Sequence, residues 1–161
     1  RVNHRVFSYN TPQGGVENPL VYRKNYGLRL WQQNYDGVMT YAYQDGFGSI
    51  WNDFDHPKFR DHNFTYPTMD GVIDTLAWEG FREGVDDVRY ITTLEKSLAK
   101  VSASLPEDKR ASIREARTFL DSLRSYTGDD LGQMRSRIVA YLIQIDSIDP
   151  SANSRFSHSS H

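Results

Sequence analysis

Cysteine is absent from this 161-residue chain. Its absence excludes disulfide frameworks, thiolate chemistry and cysteine-type zinc sites. Long apolar runs are missing too, since none approaches the roughly 18 consecutive residues that a bilayer span needs. Neither sign of charge dominates: 19 basic side chains stand against 21 acidic ones, for a net charge of −2. A nucleic-acid footprint or a polybasic membrane anchor needs concentrated positive charge, so neither nucleic acid nor a membrane is expected as a partner. No serine sits in a nucleophile-elbow motif, no glycine-rich loop resembles a phosphate cradle, and no internal repeat is visible. The chain opens on Arg1 without a signal-peptide pattern, so its compartment is not readable from that end. The length suffices for one domain with a real hydrophobic core.

What is present is unevenly spread. Residues 1–44 carry five basic and two acidic side chains, whereas residues 45–73 carry two basic and five acidic. That acidic stretch holds Phe47, Trp51, Phe54, Phe59, Phe64 and Tyr66 among Gly46, Gly48, Pro57 and Pro67. Aromatics interleaved with Asp, Asn and His, without clean periodicity, predict a long ordered loop, and loops of this length are usually functional. Disordered segments are poor in aromatics, which argues for order here.

Val6–Tyr9 reads as a short strand that ends in the turn signal Asn10 to Gly15. Asn18 and Pro19 then form an N-cap with proline at the first helical position. The helix continues through Leu20, Arg23, Tyr26, Gly27, Leu30 and Trp31. Gly27 is costly there unless its missing side chain admits a close neighbour. Gly37–Tyr43 is a near-continuous β-compatible run that suits a buried parallel strand. Asp74 can cap a further helix reaching about Lys100, in which Gly80 and Gly84 mark a close approach of backbone. Ser104 to Glu107 forms a capping box, followed by the stripe Ile113, Ala116, Leu120 and Leu123. Asp130 and Gln133 repeat the cap before Leu131, Met134, Ile138, Leu142 and Ile145, giving an antiparallel helical hairpin joined near Gly128. Pro150 ends the pattern.

Several stretches resemble a known family: Pro19–Gly27, Tyr35–Gly37 leading into Tyr41–Gln44, Trp51–Asp55, Tyr66–Thr68 and Trp78–Tyr90. Over about 90 residues the chain resembles the C-terminal end of the catalytic barrel in glycoside-hydrolase-like proteins with the domain of unknown function 4091. These are relatives of glycoside hydrolase family 123. The resemblance implies an α/β fold: the last two (β/α) units of a TIM barrel, followed by a C-terminal helical hairpin. Residues 1–100 would be the barrel portion, 101–150 the hairpin and 151–161 a flexible tail. Val6–Tyr9 would be strand seven and Gly37–Tyr43 strand eight. The family's catalytic Asp–Glu pair lies on an earlier strand, so no position here receives it and this chain alone should be inactive. The implied partners are carbohydrate and the missing N-terminal barrel portion. No cofactor is implied, and the implied setting is secreted or periplasmic.

Barrel sites are built from loops after the strands, so the substrate-binding candidates are Tyr9, Asn10, Tyr43, Gln44, Asp45 and Trp51. Flat aromatic platforms with carboxamide and carboxylate acceptors suit sugar rings and hydroxyls; the plain alternative is that these aromatics pack the top of the fold. Asp53 and Asp55 form a D-x-D pair that could serve as an acid/base pair or share a hard cation. Neither use has a strong signature, and loop-ordering hydrogen bonds and ion pairs with Lys58 or Arg60 are the competing reading. Arg82–Asp86 and Asp86–Arg89 have helix-face spacing and read as structural pairs, while Glu79 could reach a rim. Asn63-Phe64-Thr65 is a formal glycosylation sequon. Three functions compete: the C-terminal part of a carbohydrate-active hydrolase, a non-catalytic carbohydrate-binding module, and a structural module whose open strand edges need a partner.

Overall fold

A computed structural model of the chain describes residues 4–9, 18–40, 42–44, 48–58, 63–101 and 105–148. The chain divides into two units, residues 1–88 and 89–161. In the first, β1 (Phe7–Tyr9) pairs in parallel with β2 (Gly37–Met39), with Phe7 opposite Gly37 and Tyr9 opposite Met39. Helices α1 (Pro19–Tyr26) and α2 (Leu28–Gln32) make the crossover. The Asn18 side chain accepts the Val21 N–H at 3.2 Å, and Pro19 fills the first helical position, where a missing N–H costs nothing. The single helix expected from the apolar spacing is broken at Gly27, whose backbone leaves the helical region. A Cβ at Gly27 would lie 2.6 Å from the Arg23 carbonyl and 2.7 Å from Gly84. Close backbone packing against the next long helix therefore overrides helical periodicity. Asn34, with φ of 55°, turns the chain out of α2 toward β2, a conformation that Asn tolerates well.

β3 (Thr65–Pro67) and β4 (Val72–Asp74) form a separate antiparallel hairpin, closed where the Thr68 N–H donates to the Gly71 carbonyl at 2.9 Å. Asp74 belongs to β4. Thr75 caps the following helix instead, its hydroxyl accepting the Trp78 N–H at 3.2 Å. That helix, α3, runs from Leu76 to Lys100, and the boundary between the units falls within it. Its first half seals an aromatic core. Tyr22 stacks on Tyr26 at 5.7 Å, Phe64 meets both edge-on, and Trp78 and Phe81 stack beside them. The α1–α3 contact is close because Gly80 packs on Pro19 and Gly84 on Gly27. Arg23 clamps fully buried Asp87 with two hydrogen bonds, of 2.6 and 3.0 Å.

The expected barrel portion is not there. Among the described residues the strands are three residues each and form two independent two-stranded sheets, one parallel and one antiparallel. No TIM-barrel (β/α) unit is present among the described residues. The run expected as a strand over Gly37–Tyr43 ends at Met39, and Ala42 turns away in the left-handed region with φ of 59°. Strand–helix–strand order is common to any parallel crossover, and it does not specify closure into a barrel. The described residues show no barrel architecture, so the expected partnership with an N-terminal barrel portion has no support.

The second unit is helical. The end of α3 is followed by α4 (Glu107–Ser122), a 3-10 turn over Leu123–Ser125, and α5 (Leu131–Ile148). Ile91, Leu94, Leu98, Ile113, Ala116, Phe119, Leu123, Leu131, Met134, Ile138, Tyr141 and Ile145 are all buried. Asp130 caps α5 by accepting the Gln133 N–H at 2.8 Å. The hairpin of α4 and α5 is antiparallel: Tyr141 donates to Glu115 at 3.1 Å, while Arg137 lies 4.2 Å over the Phe119 ring. Ser104, expected to cap α4, and the tail from Ser151 lie outside the described residues. No helix among the described residues is long and apolar enough to cross a membrane.

Candidate functional site

Three of the six sequence candidates converge on one short segment, Asn63–Tyr66, leading into and along β3. The Tyr43 carbonyl accepts the Phe64 N–H at 3.0 Å, and its exposed ring meets Trp78 edge-on at 6.1 Å. Gln44 donates from Nε2 to the hydroxyl of buried Thr65 at 2.9 Å. Trp51 stacks on Tyr66 with ring centres 5.6 Å apart and planes 15° apart, while remaining 54% exposed. Three consecutive residues of the chain thus receive Tyr43, Gln44 and Trp51 in turn. Tyr9 lies apart from this set on β1, with its side chain exposed. Asn10 and Asp45 lie outside the described residues.

Asp53 orders the loop that carries Trp51. Its two carboxylate oxygens accept from Asn63 Nδ2 at 2.9 Å and from the Tyr66 hydroxyl at 2.8 Å. Asp55 accepts the Ser49 N–H at 2.6 Å, and Gly48 is packed against its carboxylate. His56 accepts the Lys58 N–H through Nδ1 at 3.2 Å. The D-x-D pair therefore holds loop backbone and neighbouring side chains. No group of three or more His, Asp or Glu side chains among the described residues is placed to hold a metal ion. Asn63 is 6% exposed, and its Nδ2 also reaches the Ile50 carbonyl at 3.5 Å. The sequon is consequently closed to modification in the folded state.

The charged run on α3 divides by environment. Arg82 contacts Glu79, Glu83 and Asp86 on an exposed face, and its hydrogen bond to Glu79, ahead of the neighbouring negative charge, raises its pKa. Glu79 is engaged by Arg82 at 2.7 Å, within that pairing. Asp87 instead enters the buried clamp with Arg23. Burial pushes the Tyr26 hydroxyl up to about 12, partly offset by Thr40 and reinforced by Tyr22. Among the described residues that hydroxyl has no partner in good hydrogen-bond geometry.

Sequence reasoning missed β3, the element that gathers the site. A signal existed: Asp70-Gly71 stands between Thr65-Tyr66-Pro67 and Val72-Ile73, a turn dipeptide flanked by strand formers. The chain is a small α/β unit with two minimal sheets, continuing into a helical unit. Compared with known proteins, it matches no family model, no curated protein and no solved structure. The glycoside-hydrolase resemblance is thus without support from any comparison, and the fold lacks the barrel on which it rested. The expectations of a hydrolase fragment and of a carbohydrate partner fall with it.

Proposed function

We propose that the chain recognises another polypeptide through its first unit, taking up an extended segment on the β1–β2 pair. One observation carries this reading. Ser8 and Val38 occupy one face of the pair, and Val38 packs on the aromatic core. The opposite face presents Phe7, Tyr9 and Met39, which are 47%, 60% and 57% exposed. Parallel strands are ordinarily covered on both faces, and an isolated two-stranded sheet is marginal in water. An added strand would extend the pair by backbone hydrogen bonds and set its side chains alongside Phe7, Tyr9 and Met39.

The test is selection of displayed peptides on the intact chain, followed by titration of the selected binders. Replacing Tyr9 and Met39 together by Ser should weaken binding at least about tenfold, the scale of losing two large apolar contacts. Ile143→Ser, an exposed substitution in the second unit, should leave it unchanged. Bound peptide should protect the amides of β1 and β2 from hydrogen exchange. Binders indifferent to the double substitution, or apolar coverage supplied by a second copy of the chain, would overturn the reading.

A further inference from the structure

We infer that the loop at residues 48–58 is an arginine-recognition site, in which a guanidinium of the partner polypeptide stacks on Trp51 beside Asp53 and Asp55. The inference rests on the reading of the first unit as polypeptide-binding and adds to it the chemistry of the partner.

Three features of the loop converge. First, the Trp51 indole is fixed yet open: Tyr66 stacks against one ring face, and the side chain as a whole stays more than half exposed. Tyr66 is in turn held by its hydroxyl on Asp53, and Asp53 by Asn63. The platform is ordered before any ligand arrives, which lowers the entropy lost on binding. Second, the loop carries two aspartates against a single lysine, Lys58. Among the described residues neither Asp53 nor Asp55 pairs with a basic side chain. Each Asp53 oxygen accepts one hydrogen bond and Asp55 Oδ2 accepts one, so acceptor capacity remains on both carboxylates. Third, Phe54 sits exposed between the two aspartates and offers apolar contact to a side-chain stem.

A cation that is flat, weakly hydrated and rich in fixed donors fits an indole face beside carboxylates. Guanidinium has those properties, whereas the ammonium of lysine is compact and strongly hydrated. The surrounding stretch 45–73, with five acidic residues against two basic, favours approach of such a segment.

The test uses the intact chain and three peptides of one design, alternating glycine with arginine, lysine or citrulline. Calorimetry gives affinity, and the indole N–H resonance of Trp51 reports the site. Arginine peptide should bind most tightly, shift that resonance and weaken as salt is raised. Trp51→Leu should weaken it by about fivefold or more, in line with loss of a cation–π contact. Asp55→Asn, which keeps an acceptor for Ser49, should also weaken it, with near-ultraviolet dichroism confirming that both variants remain folded. Equal binding of the citrulline peptide, no effect of Trp51→Leu, or preference for the lysine peptide would overturn the inference. If peptides selected on the β1–β2 face still bind in that event, only the arginine site falls; if they fail as well, the broader reading falls with it.

Discussion

The two units solve the burial problem in different ways. Residues 89–161 use aliphatic stripes on long helices, and nearly all of the large apolar side chains described there are covered. Residues 1–88 use stacked and edge-on aromatic rings around α1 and the start of α3, with three-residue strands at the margin. Of the fifteen large apolar side chains exposed among the described residues, thirteen lie in the first unit, and only Tyr90 and Ile143 lie in the second. That asymmetry concentrates the exposed apolar surface of the described residues in the first unit. It also shows that a dense core does not guarantee a closed surface. Long helices bury a continuous stripe, whereas a two-stranded sheet leaves one face and two edges open.

The units can be read separately, because all three tryptophans, Trp31, Trp51 and Trp78, lie in the first. The largest contrast is expected between ion pairs. Asp87→Ala should destabilise the first unit by about 3–5 kcal/mol, since it strands Arg23 beside a buried cavity. Glu107→Ala removes exposed contacts to Arg110 and Arg114 in the second unit and should change stability by less than about 0.5 kcal/mol. Urea unfolding followed by tryptophan fluorescence and by helical circular dichroism separates the two effects. A small loss for Asp87→Ala would mean that the clamp does not hold α1 to α3.

A smaller contrast comes from one substitution made in each unit. Gly84→Ala should cost about 1–3 kcal/mol, because the new methyl would lie 2.7 Å from the Arg23 carbonyl. Gly132→Ala meets only the Asp130 carboxylate, at an ordinary 3.7 Å, and should stabilise α5 by about 0.5 kcal/mol. Opposite signs in the two unfolding midpoints are the expected result.

The least disruptive change is Tyr26→Phe. Tyr26 ionises near 12 in the folded chain against an ordinary 10, so the unfolded state gives up this proton first as pH rises. Its stabilising contribution is complete below pH 10 and is lost as pH passes through 12. The first unit should therefore weaken over that range, and Tyr26→Phe should flatten the dependence while leaving neutral-pH stability equal or slightly higher. An unchanged alkaline profile in the variant would assign the loss to other tyrosines.

Much of the local structure was legible in the residues. Asn18-Pro19 marked the start of α1, Asp130 the cap of α5, and the spacing of Met134, Ile138 and Ile145 its buried face. Gly27, Gly80 and Gly84 announced close approaches, but not that Gly84 would pack on Gly27 and Gly80 on Pro19. The loop aromatics were singled out, but the residues that hold them were not. Phe64, Thr65 and Tyr66 read as part of a loop, and their role required knowing that they form and enter a strand. Asp53 and Asp55 could be an acid pair, a cation site or loop anchors, and their partners chose the last.

Caps, stripes and small-residue spacing are local, and the sequence by itself determined them because helical periodicity and side-chain chemistry act within a few residues. Whether two short strands join a barrel or stand as an isolated pair depends on contacts between distant segments. Where Asp87 finds its cation, 64 positions away at Arg23, depends on them as well. So does the stacking of loop residue Trp51 on Tyr66 of β3. Only the tertiary structure decided these, because one turn or one glycine contact redirects everything that follows, while the local pattern reads the same in either arrangement.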